Sequence, residues 1–168
     1  MSQGRVVAHE KGWSEMKVSE MLKKENAPLV TVEGHTTILT AAHRMRLEKV
    51  GCVIVSKDGK HPEGIVAVRD VVYNMAEHWG KNPSGDKFSY LERPVTDIMH
   101  SPVKTCNLGH RLRDVLHMMW HWHFLHIPVL DEAGLLCGII SIDDVIKFST
   151  HEMELESNIL HDRLLLRE

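Results

Sequence analysis

Four histidines fall within ten residues, at His117, His121, His123 and His126, interleaved with Trp120 and Trp122 in the stretch HMMWHWHFLH. Imidazoles this dense raise metal chemistry first. His117 and His121 are four apart and share one face of a helix. A structural zinc site takes four ligands and a catalytic one three. No cysteine or carboxylate falls at a useful spacing within the segment, so the expectation is no metal site. The segment reads instead as the end of an amphipathic helix whose Leu116 and Met119 face a core, followed by an apolar strand, HIPVL, from His126. Beyond that strand, GIISIDDV carries Ser141 and the acidic pair Asp143 and Asp144. An aspartate opening a helix has a purely structural use as an N-cap. That use and a contact to ligand both remain open for Asp144 and for Asp70, which ends GIVAVRD.

The elements around these residues occur twice. A shift of 74 positions places residues 28–72 on 102–146 without a gap and matches nine residues. They are Pro28, Thr31, His43, Met45, Val55, Gly64, Ile65, Asp70 and Val71, falling on Pro102, Thr105, His117, Met119, Val129, Gly138, Ile139, Asp144 and Val145. Such internal self-similarity marks repeated supersecondary units. Each copy has a short lead-in helix (Val18–Leu22, Val95–Met99) and a proline-led extended segment. An amphipathic helix, two apolar strands around a polar turn, and a short helix starting near Asp70 or Asp144 follow. The expected fold class is therefore α/β (α+β). It comprises an N-terminal arm (1–15), one repeat of about β-α-β-β-α (16–77), a linker (78–93), a second repeat (94–149) and a C-terminal helical tail (150–168). Neither half has enough apolar surface to stand alone, so the two sheets are expected to pack with pseudo-two-fold symmetry. Phe88 and Tyr90 in the linker look like an exposed aromatic pair.

Composition excludes several classes. The net charge of −3 gives no broad basic surface for nucleic acid. No apolar run suits a signal peptide or a membrane span. Cys52, Cys106 and Cys137 are too few for a disulfide framework and read as buried thiols in a reducing, cytoplasmic setting. No P-loop, dinucleotide fingerprint, nucleophile–base pair or metal triad is visible, so no enzymatic activity is expected.

The stretches GCVIVSKDGKHPEGIVAVRDVV (51–72) and HIPVLDEAGLLCGIISIDDVI (126–146) resemble a pair of CBS domains (cystathionine-β-synthase-type repeats), the tandem unit called a Bateman module. The likeness lies in an apolar strand, a turn, and Gly-h-h-[Ser/Thr]-x-x-Asp opening a helix, h being apolar. It covers roughly residues 16–150, and the layout resembles small stand-alone bacterial CBS-pair proteins. The resemblance implies a non-catalytic, energy-sensing regulatory module that binds AMP, ADP or ATP, or S-adenosylmethionine, between the repeats, with no cofactor required. It implies that the Asp accepts bonds from ribose hydroxyls, that the Ser or Thr meets sugar or phosphate oxygens, and that strand residues sandwich the adenine. Carried onto this chain, it points to Asp144, Ser141, Asp70, Arg69, His126, Ile127 and Pro128. Copy one departs from the pattern at Ala67, which removes a hydroxyl, and Leu125 stands where arginine is frequent. The family also implies a homodimer through the module's helices, with His117, Trp120, His121 and Trp122 suited to such a contact, and an unknown protein target. The alternative is an interaction or scaffolding module whose clefts no longer bind.

Overall fold

The computed structural model describes residues 12–24, 27–81, 83, 86 and 88–165. The rest of the N-terminal arm and the last three residues of the tail lie outside the described residues. Each repeat forms a three-stranded sheet. In the first, β1 (Thr31–Val32) leads through α2 (Ile38–Glu48) to β2 (Cys52–Val55), and β3 (Gly64–Ala67) runs directly into α3 (Val68–Lys81). In the second, β4 (Cys106–Asn107), α4 (Leu112–Trp122), β5 (His126–Leu130), β6 (Leu136–Ser141) and α5 (Ile142–Leu165) repeat the order. The central strand of each sheet pairs parallel on one side and antiparallel on the other. Cys52 lies opposite Ala67 and His126 opposite Ser141. Each central strand thus begins beside the residue that opens its repeat's last helix. Both connecting helices stop at a residue in the left-handed conformation, Lys49 and His123, each with φ of 55°.

The lead-in segments change places. α1 (Val18–Lys24) buries Val18 and Met21 in the core of the second repeat, with Leu112, Val115, Met119, Ile127 and Val145. Val95 and Ile98, which precede the second repeat in sequence, lie in the core of the first with Ile38, Met45, Val53 and Val66. Backbone bonds fix the exchange, from the Val18 amide to the His110 carbonyl and from the Val95 amide to the Thr36 carbonyl. The glycines that open β3 and end the bulge in β6 make room for it. A Cβ on Gly64 would sit 2.5 Å from Met99 Sδ, and one on Gly138 would sit 3.0 Å from Leu22. A third cluster joins the faces of the two sheets through Cys52, Ile54, Ile65 and Ile139.

Several local expectations change. The second lead-in is a 3-10 turn over Val95–Asp97, not an α-helix. The last helices start two residues before Asp70 and Asp144 and run well past one turn. The aromatic pair of the linker splits. Phe88 is exposed, whereas Tyr90 is fully buried in the first core because its hydroxyl donates to the Val71 carbonyl at 2.9 Å. Cys52 and Cys106 are buried, but Cys137 is exposed, since a register shift between Val129 and Leu130 lifts it from the ladder. Among the described residues no helix is long and apolar enough to cross a membrane.

Candidate functional site

Two clefts lie between the repeats, and each takes its carboxylate from one repeat and its wall from the other. The cleft of Asp144, about 330 Å³, is lined by Ser141, Asp143, Lys147 and Ile139 of the second repeat and by Pro28, Lys49, Val50 and Cys52 from the first half. Ser141 is the N-cap residue of α5 and Asp144 stands at its third position. The Ser141 hydroxyl accepts from the Asp144 amide at 3.1 Å, and Asp144 Oδ2 accepts from the Ser141 amide at 3.1 Å and from the Ser141 hydroxyl. This is a reciprocal capping box. The aspartate is not itself the N-cap, as the structural reading of the sequence had it. Asp144 Oδ1 has no hydrogen-bond partner among the described residues. Among the described residues, the cleft therefore holds a free acceptor oxygen, with two lysines and an apolar wall on its lining.

The cleft of Asp70, about 210 Å³, uses the equivalent positions and is more apolar. It is lined by Ile65, Ala67, Arg69 and Asp70 of the first repeat and by His100, Phe124, Leu125 and His126 from the second half. Asp70 Oδ2 accepts from the Ala67 amide at 2.8 Å, the half of the capping box that needs no hydroxyl. Its Oδ1 lies 3.0 Å from His100 Nε2. A carboxylate only accepts, so that nitrogen carries the proton. The Asp70 side chain is 7% exposed and His100 half-exposed.

His126 and Gly51 line both clefts. A Cβ on Gly51 would lie 2.7 Å from His126 Nε2, so the glycine is what admits the ring. Burial holds the imidazole below the usual histidine range, Asp144 and Asp143 pull it back up, and Arg69 pushes it down. One ring thus feels charges of both clefts. Burial together with the Asp70 charge pushes the Cys52 thiol up to about 12, so it stays a neutral wall residue at physiological pH.

Of the residues singled out in the sequence, Asp144, Ser141, Asp70, Arg69 and His126 line a cleft. Arg69 also donates to the His123 carbonyl at 3.2 Å, which ties α3 to the end of α4. Ile127 and Pro128 line neither cleft. Both point into the protein from the middle of β5, and Ile127 is part of the second core. Lys49, Lys147, His100 and Phe124 were not singled out, although Lys147 lies only three residues past Asp144 and Lys49 only three before Cys52.

The histidine-rich segment faces elsewhere. Trp13, Leu116, His117, Met119, Trp120 and Ile142 border an apolar groove of about 870 Å³ over α4 and α5, with Arg69 and Arg113 also on its lining. Trp120 is 82% exposed. Trp122 is half-buried against Phe124, with the Lys104 ammonium over its ring. Among the described residues no three His, Cys, Asp or Glu side chains converge on a point where a metal could sit.

The CBS domain family model matches residues 18–77 and 95–151, and the chain belongs to the CBS domain family. It is a pair of such domains. An uncharacterised protein of Methanopyrus kandleri is 26% identical over 132 residues, and the chain spans 62% of that protein's length and 79% of its own. The crystal structure of a CBS-domain protein from Agrobacterium tumefaciens matches with a TM-score of 0.68 at 30% identity, covering 79% of this chain and 98% of that one. A CBS domain protein from Pyrobaculum aerophilum, complexed with AMP, matches with a TM-score of 0.63 at 24% identity over 77% of this chain and 89% of that one.

Proposed function

We propose that the chain is a non-catalytic regulatory module that binds an adenosine nucleotide in the Asp144 cleft. The observation that carries this reading is the free Oδ1 of Asp144 beside a complete capping box. A vicinal diol presents two donors, and an acceptor-only oxygen held rigidly by its partner oxygen's bonds suits it. Pro28, Val50 and Ile139 give an apolar wall for a purine, and Lys49 and Lys147 supply charge for phosphate. The AMP-bound Pyrobaculum relative, of the same fold, supports the same ligand class. Calorimetric titration of ligand-stripped protein with AMP, ADP, ATP and S-adenosylmethionine tests it, with Asp144→Asn as control. Saturable binding lost in the variant is expected. Silence across the panel favours the interaction-module reading instead.

The response reaches other molecules through the helical face. A second copy is the occupant we assign to the groove over α4 and α5. The smaller groove lined by Ala42, Met45, Arg46, Val50, Val68 and Val71 occupies the equivalent positions on the first repeat, so the module presents two versions of one face. A two-fold pairing of such faces is isologous or matches one version to the other. A nucleotide shifts such an assembly only by binding one arrangement better than the other. Cytoplasmic residence fits this role. Sedimentation of wild type and Trp120→Ser checks the pairing, with weaker self-association expected in the variant.

A further inference from the structure

The two clefts are assembled from equivalent positions, yet their carboxylates are in different states. Among the described residues Asp144 offers one unpartnered oxygen, whereas both oxygens of Asp70 are taken. We propose that His100 closes the Asp70 cleft to ribose-bearing ligands, so that each chain takes a single adenosine nucleotide, in the Asp144 cleft. This rests on the nucleotide reading above and adds to it the stoichiometry and the residue that sets it.

His100 is well placed to act as a plug. Its backbone makes two bonds to Ile65 on the edge of β3, from the Ile65 amide at 3.1 Å and to the Ile65 carbonyl at 2.9 Å. The anchored chain holds the ring over Asp70, where Phe124 flanks it with ring centroids 6.0 Å apart. A sugar hydroxyl entering this cleft competes with an N–H for an oxygen that is almost wholly buried. It meets no hydroxyl at Ala67, where the other cleft has Ser141. The space is also smaller, about 210 Å³ against 330 Å³. His100 reaches this position because its segment leads into the second repeat but crosses over the first. It is absent from the lining of the Asp144 cleft, so its removal leaves that cleft intact.

The experiment counts AMP sites on the full chain by calorimetry, with thermal melting to report folding. One site per chain is expected in wild type and none in Asp144→Asn. His100→Ala, and more strongly His100→Ala with Ala67→Ser, should gain a second site. In the Asp144→Asn background the combined change should leave one. Two sites in the wild type, or a single site that survives Asp144→Asn, overturn the proposal. One wild-type site with no gain in either His100 variant overturns the closure alone and leaves the nucleotide reading standing. No site in the wild type or in any variant removes both.

Discussion

Ser141 and Asp144 cap one another across the first turn of α5, each side chain holding the other's backbone amide at 3.1 Å. The same pair therefore starts a helix and poises a carboxylate. Ser141→Ala should cost about 1 kcal/mol of stability, the usual value for a lost N-cap, and should weaken AMP binding in the same protein. Urea denaturation measures the first and calorimetry the second. Asp144→Asn should remove binding.

Lys49 and Lys147 reach the Asp144 cleft from opposite repeats. Each is exposed, so its contribution is screened. Replacing either by alanine should lower nucleotide affinity by about tenfold or less, roughly 1.4 kcal/mol. The loss should grow with phosphate number and shrink as salt is raised. Titrations with AMP and ATP at two ionic strengths check both trends.

His126 is held neutral by burial, below its unfolded pKa. With a depressed histidine the unfolded chain binds the proton more readily. Stability is therefore unaffected well above about pH 6.5 and falls as pH drops through that value toward the folded pKa. The slope from this one group is at most about 1.4 kcal/mol per pH unit. Denaturation at pH 7.5 and 5.5 should show the loss, and His126→Gln should flatten it.

Gly51→Ala would press a methyl group onto the His126 ring. The ring tip can swing away, so the stability cost should stay near 1 kcal/mol, the lower end for overpacking. AMP binding should change as well, because the ring lines the Asp144 cleft. A melting point lowered by a few degrees combined with changed AMP affinity is the expected signature.

Met21 is 1% exposed and belongs to the core of the second repeat, not of the one it precedes. Met21→Ala should cost about 2–5 kcal/mol. Hydrogen exchange should show α4 and β5 loosened before α2 and β2.

The repeat, the order of its elements and the two aspartates were legible in the residues themselves, because period and turn chemistry are local. What escaped depends on which segment crosses to which sheet. Lys49 and His100 look like ordinary surface residues until the approach of the two sheets puts Lys49 on the lining of the Asp144 cleft and the exchange of lead-ins brings His100 against Asp70. Tyr90 sits in a turn-rich linker, and only the Val71 carbonyl on α3 gives its hydroxyl a buried partner. Ile127 and Pro128 match the family motif by position, but Ile127 faces the core of the second repeat and Pro128 is buried on the other face of β5, opposite Ile139.

The exchanged lead-ins also make this an obligate pair. A half cut at the linker would carry away the segment that seals its neighbour and leave its own interior open. Severed halves should therefore be insoluble apart and soluble when expressed together. On the same plan, a lone repeat could seal its interior only by taking the lead-in of a second copy.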